Sequence, residues 1–380
     1  MHNYLFLFLI LCFIMKKMKG RCAMMRKMNK LLFLLFLLCS FFVVDVRAED
    51  EITYNVVKVK ETILMIPGDE RMISVTAPGY STYESSNPKI VAVSNIGKLV
   101  AKKGGTAKIT RIEGNVKTIY TVKVKQEVDL IVFAGQSNMC GSGGNAAQAP
   151  KPKAGTAYEF DITTDSYRTI LMKEPFGEGT NRKNGLESTG IYSTKGTLVS
   201  AFCINYYKQT KTPVVGVSCA WGGSSTNTWL NRGLVTKTQK SVKVAKKYLK
   251  KQKVKVRHIY MVWYQGESDA MQWVSEKTYI SRMKKIYKKM KTVGVERVFV
   301  IRIGHDMTSP EKDYTIMKAQ EKLCSSNKNF ILVSKKAAKY RNSYPRYYSD
   351  TIHLNQKALN QVGYEAGKAA GKYVKKLKKK

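Results

Sequence analysis

From Val128 onward the chain alternates two patterns. Continuous apolar runs occur at Val128–Ala134, Pro213–Cys219, His258–Trp263, Arg297–Ile303 and Phe330–Val333. Such runs, apolar on successive residues rather than on every second one, suit parallel strands buried on both faces. Between them lie stretches with helical spacing: Leu198–Lys208, Val242–Lys251, Lys277–Met290 and Ile316–Ser326. Strand and helix in alternation predict a doubly wound α/β domain with a mostly parallel sheet over residues 127–375. Ligands in such sheets bind beyond the carboxyl ends of the strands. The residues that follow each strand are therefore the first place to look for chemistry.

Residues 49–126 have a different texture. Ile90–Val93 and Thr106–Ile109 are short β-rich stretches, separated by turn signals at Pro67-Gly68-Asp69, Asn87-Pro88, Asn95-Ile96-Gly97 and Gly104-Gly105. With no helical period anywhere, this spacing predicts a small all-β sandwich. Its string Ser85-Ser86-Asn87-Pro88-Lys89-Ile90-Val91-Ala92-Val93, then Gly97-Lys98-Leu99-Val100-Ala101 and Gly104-Gly105-Thr106-Ala107, resembles the bacterial Ig-like domain, group 2. The Trp which that family places shortly before the first Ser is absent here, where Thr82 and Tyr83 stand. The resemblance implies a surface spacer or binding module, and nothing in the segment has a catalytic pattern.

The first 48 residues read as a targeting segment. Arg26-Lys27-Met28-Asn29-Lys30 is a positive region, followed by the 14-residue apolar run Leu31–Val44 and by Val46-Arg47-Ala48. A bilayer span needs about 20 apolar residues, so the run fits a secretory signal cleaved after Ala48. A second apolar run, Leu5–Met15, precedes it, which points to a true start at Met24, Met25 or Met28. The alternative is an N-terminal membrane anchor. Cys39 follows Leu37-Leu38 rather than a small residue, which argues against lipid attachment there. The expectation is a secreted or cell-surface bacterial protein with no stable membrane span after cleavage.

Charge narrows the partners. The chain has 66 Lys and Arg against 27 Asp and Glu, a net charge of +39. Such a field favours anionic partners. The basic residues are mostly Lys and are scattered, with no zinc-finger spacing or RNA-binding signature, so nucleic acid is not expected. An anionic cell wall suits an exported protein better, and a solvated Lys-rich surface is the plainer reading. The closing basic run, residues 376–380 together with Lys375, reads as a frayed helix end or as a wall-binding tail.

Of seven cysteines, Cys140, Cys203, Cys219 and Cys324 lie beyond the leader. No CxxC pair occurs and the four histidines are scattered, so no metal site and no cofactor is expected. Disulfide pairing is left open by the spacing.

Four stretches carry candidate chemistry. Gly135-Gln136-Ser137-Asn138-Met139 follows the first α/β strand, where a Ser hydroxyl and its own N–H can face one crevice. Met139 in place of a last Gly separates it from the G-x-S-x-G elbow. Ala220-Trp221-Gly222-Gly223-Ser224-Ser225 follows the second strand run, and its paired glycines allow close backbone approach to a ligand. Trp263-Tyr264-Gln265-Gly266-Glu267-Ser268-Asp269 follows the third, with an amide donor and two carboxylates. Asp350-Thr351-Ile352-His353 places a carboxylate and an imidazole three residues apart, the pair that a serine hydrolase needs. Taken singly, each has a plainer reading as a turn, a cap or a surface pair. Cys140 is a rival nucleophile, while His258 and His305 are rival histidines, the first of them at the start of a strand.

In order and wording the four blocks resemble the SGNH hydrolase superfamily, flavodoxin-like in fold, and within it the sialate O-acetylesterase-like and carbohydrate esterase family 6 branch. The resemblance spans roughly residues 128–374. It implies Ser137 as nucleophile, His353 as general base and then acid, and Asp350 as its orienting carboxylate, with Glu267 a rival for that last role. It implies an oxyanion hole from the N–H groups of Ser137 and Gly223 and the side chain of Gln265. Gln136, Asn138 and Trp229 are expected to contact substrate. The implied activity is removal of O-acetyl groups from polysaccharide or sialylated glycan, without metal or organic cofactor. The alternative is a surface glycan-binding or adhesion protein that keeps the esterase fold as a scaffold.

Overall fold

The computed structural model describes residues 53–73, 80–161, 167–177 and 195–377. The leader, its cleavage position and the last three lysines lie outside the described residues. Tyr54–Lys380 belongs to one compact unit.

Among the described residues the N-terminal part contains eight strands: β1 (Asn55–Lys58), β2 (Ile63–Met65), β3 (Glu70–Met72), β4 (Thr82–Ser85), β5 (Val91–Val93), β6 (Lys98–Ala101), β7 (Gly105–Glu113) and β8 (Val116–Val124). One sheet runs β1-β8-β7-β4 with β2 also on β8, and a second runs β3-β6-β5. Met65, Val91, Leu99, Ala101, Ala107, Ile109, Val122 and Val124, from both sheets, form a core of their own. Alternation explains this: in β7, Ala107 and Ile109 point inward while Thr106 and Lys108 point out. A polar clasp joins this part to the next. The Tyr158 hydroxyl donates to Asp69 Oδ2 at 2.8 Å, and Arg71 pairs with the same oxygen at 2.8 Å.

The second part contains β9 (Glu127–Gly135), α1 (Ser137–Cys140), β10 (Ala157–Asp161), β11 (Arg168–Leu171), α2 (Val199–Thr210), β12 (Val214–Ala220), α3 (Thr226–Asn231), α4 (Leu234–Lys251), β13 (Lys255–Tyr264), α5 (Glu267–Met271), α6 (Glu276–Lys291), β14 (Arg297–Ile301), α7 (Glu311–Ser326), β15 (Phe330–Ser334) and α8 (Gln356–Leu377). The sheet order is β11-β10-β12-β9-β13-β14-β15, and every pairing is parallel except β10 with β11. The first strand of the domain therefore lies inside the sheet. The chain builds outward on one side of β9 and then returns to the other. The edge beside β9 is thus the topological switch point, where open α/β sheets bind ligands.

All five predicted strands and all four predicted helices are present, with shifted boundaries. Helix α4 begins eight residues before Val242, because Thr238 and Ser241 sit on its buried face and interrupt the apolar spacing. Helix α7 begins at Glu311, where Glu311 and Asp313 in the first turn suit the positive end of the helix dipole. Helix α8 is an addition to the four predicted helices, and its Gly363, Gly367 and Gly371 each weaken helix propensity. Their spacing by four puts them on one face. A Cβ at Gly363 would come 2.3 Å from the Leu198 carbonyl oxygen, and one at Gly367 would come 2.1 Å from that of Phe202. The glycines let α8 lie close against α2, and α8 begins three residues after His353.

Among the described residues no helix is long and apolar enough to cross a membrane.

Candidate active site

The site starts where three parallel strands end together. Gly135 closes β9 with φ 151°, and a Cβ there would lie 2.0 Å from the Tyr264 carbonyl oxygen. No other residue fits. The Gln136 N–H then donates to Tyr264 O at 3.1 Å, and the Trp221 N–H donates to Gly135 O at 3.0 Å. The ends of β12, β9 and β13 are laced together by these bonds. Ser137, the first residue of α1, sits at this junction with 7% of its surface exposed.

Asn138 links this junction to the late histidine block. Its Nδ2 donates to Glu267 Oε1 at 2.8 Å and to Ile352 O at 3.3 Å, and its Oδ1 accepts from the Leu354 N–H at 3.0 Å. Ile352 and Leu354 flank His353, so the residue after Ser137 grips the chain on both sides of the imidazole. Within that turn, His353 Nδ1 lies 2.7 Å from Asp350 Oδ2, while Asp350 Oδ1 accepts from the backbone N–H groups of Ile352 and His353. Burial pushes the Asp350 carboxyl up, but the bonds from the His353 ring and the two N–H groups outweigh it, and the group ends below its ordinary value. Among the described residues no hydrogen bond joins the Ser137 hydroxyl to the His353 ring. Catalytic contacts in ligand-free hydrolases are commonly long and tighten when substrate binds.

The Gln265–Asp269 block is buried. Glu267 has 3% of its surface exposed, and its Oε2 has no hydrogen-bond partner. Burial raises its carboxyl above the ordinary range, opposed by the Asn138 bond and by His353 nearby. Asp269 accepts from the Thr226 N–H at 2.7 Å and from Gln265 Nε2 at 2.6 Å, which holds the Gly222-Gly223 loop against the end of β13. Burial raises its carboxyl too, opposed first by the Thr226 bonds.

Several sequence expectations are redirected by this geometry. Gln136 is buried, and its Oε1 accepts from Gln265 Nε2 and from the N–H groups of Gly266 and Ser268. Both Asn138 donors and its acceptor are taken by protein. Trp229 is 1% exposed, donates to Ser224 Oγ at 2.9 Å and packs edge-on to Trp263. All three, expected to touch substrate, are buried and bonded within the scaffold of the site. Gln265, expected to donate to an oxyanion, has no exposed surface, and its Nε2 is within bonding distance of Asp269, Ser224 O and Gln136. Gly223 does sit in the open, at φ 65°, and a Cβ built on it would meet nothing within 4 Å. For His353 Nδ1 the hydrogen-bonding partner is Asp350, while Glu267 is bonded to Asn138.

The rivals fall elsewhere. Cys140 is buried, and burial pushes its thiol up to about 12, so it is not a thiolate near neutral pH. His258 pairs with Glu296 at 2.9 Å, at the start of β13 and far down the strand from its carboxyl end. His305 is buried, its Nδ1 3.9 Å from Asp313. Cys140, Cys203, Cys219 and Cys324 are all free. Among the described residues no cluster of three or more His, Cys, Asp or Glu is placed to hold a metal ion. The bracing role of Asn138 was not visible in the sequence, because its partners lie more than 120 residues away.

Residues 127–372 match the family model described as carbohydrate esterase, sialic acid-specific acetylesterase. No curated protein matches the chain. Among solved structures, a protein from Arabidopsis thaliana is 20% identical, with TM-score 0.46 over 64% of this chain and 97% of that one. A carbohydrate acetylesterase from Xanthomonas citri is 12% identical, with TM-score 0.44 over 84% of this chain and 73% of that one. NanS is 12% identical, with TM-score 0.46 over 67% of this chain and 98% of that one. The family match covers most of the chain and falls on the part that holds all four blocks. The chain belongs to the carbohydrate esterase family of sialic acid-specific acetylesterases, and it is a carbohydrate acetylesterase.

Proposed function

We propose that the protein removes O-acetyl groups from an extracellular polysaccharide or glycan by a serine relay, with Ser137 as nucleophile, His353 as general base and Asp350 as its orienting carboxylate. The observation that carries this reading is the 2.7 Å contact of His353 Nδ1 with Asp350, on a turn that Asn138, the residue after Ser137, holds on both sides of the imidazole. In the first half-reaction His353 Nε2 takes the Ser137 proton as the hydroxyl attacks the acetyl carbonyl. The carbonyl oxygen becomes an oxyanion, for which the backbone N–H groups of Ser137 and Gly223 are the donors. Each donor of this kind lowers the barrier by about 3 kcal/mol. The imidazolium then protonates the departing sugar hydroxyl. Water attacks the acetyl-enzyme with His353 again as base, which releases acetate. Asp350 holds the Nδ1–H tautomer and steadies the imidazolium charge. Glu267 acts through Asn138 as a positioning residue.

Export rests on the Leu31–Val44 run and the Val46-Arg47-Ala48 junction. N-terminal sequencing of protein secreted by a bacterial host gives Glu49 as the first residue if the reading holds, and a retained leader refutes it. The assignment of residues 49–126 to the group 2 Ig-like family rests on the Ser85–Ala107 string. It is tested by whether that segment alone unfolds cooperatively.

The functional experiment measures acetate release from acetylxylan, O-acetyl sialic acid and O-acetyl peptidoglycan. One of the three is turned over, and Ser137→Ala reduces its rate by about 10⁵-fold or more. Glycan binding without acetate release would favour the scaffold alternative.

A further inference from the structure

An exposed aromatic residue stands just past helix α5 in a strained backbone conformation. Helix α5 starts at Glu267 and ends in a turn where the Trp273 N–H donates to Ala270 O at 2.9 Å and the Val274 N–H to Asp269 O at 3.0 Å. Trp273 occupies the residue after the cap, at φ 53°. That position is normally filled by Gly, because a Cβ crowds the backbone in the left-handed region. A bulky residue there is a true outlier. Packing does not compensate, since Trp273 is 69% exposed. A strained, exposed indole is explained by neither folding nor solubility, and strain of this type concentrates at ligand sites.

Its surroundings indicate the ligand. Lys312 Nζ stands 5.6 Å from the centre of the Trp273 ring. Further along, Tyr314 is exposed and the Arg341 guanidinium lies 6.0 Å from its ring centre. Asp313 is buried and accepts from the Asp306 N–H at 2.7 Å, which leaves Glu311 as the exposed acid on this turn. The surface is thus aromatic with a cationic excess. It is also attached to the reaction centre at two points. α5 begins at Glu267, which holds Asn138, and the loop before α7 donates Met307 N–H to Thr351 O at 2.8 Å, inside the Asp350–His353 turn.

A pyranose ring presents an apolar C–H face and a polar rim. An indole offers a broad, electron-rich face for the first, and an ammonium beside it meets a carboxylate on the second. We propose that Trp273 and Lys312 form a shelf that stacks a uronic-acid-bearing sugar of the polysaccharide next to the acetylated residue, so that the enzyme favours acidic chains over neutral ones. This selectivity rests on the esterase reading above, whereas the binding does not.

The test uses the full secreted chain and two probes, unsubstituted xylohexaose and a xylo-oligosaccharide of the same length bearing one glucuronic acid. Calorimetric titration needs no ester and no turnover. Wild type is expected to bind both, the acidic one more tightly. Trp273→Ala weakens both by about tenfold or more, as truncation of a central interface Trp does. Lys312→Ala weakens the acidic probe alone, and added salt narrows the wild-type preference. Trp273→Gly removes the backbone strain, so its Tm equals or exceeds that of wild type while binding is lost. That variant separates a binding role from a folding one. With acetylated forms of the same probes, the ratio of kcat/KM on oligosaccharide to that on 4-nitrophenyl acetate falls about tenfold in Trp273→Ala, through KM. Absence of wild-type binding to either probe overturns the shelf, as does binding unchanged in Trp273→Ala. Equal loss on both probes in Lys312→Ala overturns the acidic preference. If binding follows the prediction but no acetate is released, the esterase reading fails while the shelf stands.

Discussion

On one side of the reaction centre, Gln136, Gln265, Glu267 and Asp269 are buried and bonded into a polar network at the ends of β9 and β13. On the other, the Asp350 and His353 side chains are 52% and 23% exposed, on a surface turn. The first side is fixed by burial, since an unsatisfied polar group there costs far more than a bonded one gains. The second is fixed by a tether: Asn138 grips both neighbours of His353, and the Tyr348–Leu354 bridge closes the turn. In the proposed relay, a rigid nucleophile platform with an imidazole carried on a braced turn lets the proton carrier adjust as charge moves between two half-reactions. It also makes the brace, rather than the imidazole alone, a point of failure.

The sharpest way to break this comparison is to alter each carboxylate near His353 by one atom. Asp350→Asn is expected to lower kcat by about 10⁴-fold, through loss of the correct tautomer. Glu267→Gln keeps the bond to Asn138 through its carbonyl oxygen and should change kcat by no more than about threefold. Steady-state rates on one acetylated substrate decide it, and the reverse ranking would make Glu267 the partner of His353.

Cutting the tether comes next. Asn138→Ala leaves the buried Glu267 carboxyl unpaired and frees the turn, a loss of about 1–3 kcal/mol. kcat should fall about 10- to 100-fold, with KM little changed and Ser137 chemistry intact. An unaltered rate would mean that the turn holds itself in place.

The smallest effect lies away from the site and serves as a control. Burial pushes the Glu159 carboxyl in β10 up to about 8 from an ordinary 4.5. The folded state therefore keeps a proton that the unfolded chain gives up, and stability declines as pH rises between those two values. Glu159→Gln removes that decline. Its Tm should match wild type near pH 5 and exceed it near pH 8. Activity at either pH should follow wild type, because this carboxyl is outside the proposed relay.

The sequence made the sheet legible because its strands are continuous apolar runs, which only burial on both faces explains. Val128–Ala134 and Val214–Cys219 needed no other context. Helix α8 was obscured by the glycines that let it pack, since propensity and packing ask for opposite residues there. Strands β10 and β11 were missed. In β10, Glu159 and Asp161 are buried and disguise the apolar pattern. The contact between Asp350 and His353 was legible because they lie three residues apart on one turn. The burial of Gln136, Asn138 and Trp229 was not legible, because a polar or aromatic residue near a candidate nucleophile looks like a substrate contact. Only the fold reveals that Gln136 and Asn138 are occupied by partners more than 120 residues away, and that Trp229 is core.

The central claim is that Ser137 carries the acyl group. Enzyme quenched during turnover of 4-nitrophenyl acetate, digested and read by mass spectrometry, should bear one acetyl group, on the peptide containing Ser137. In His353→Ala that adduct should fail to form. An acetyl group on another residue, or a normal rate in Ser137→Ala, would contradict the account.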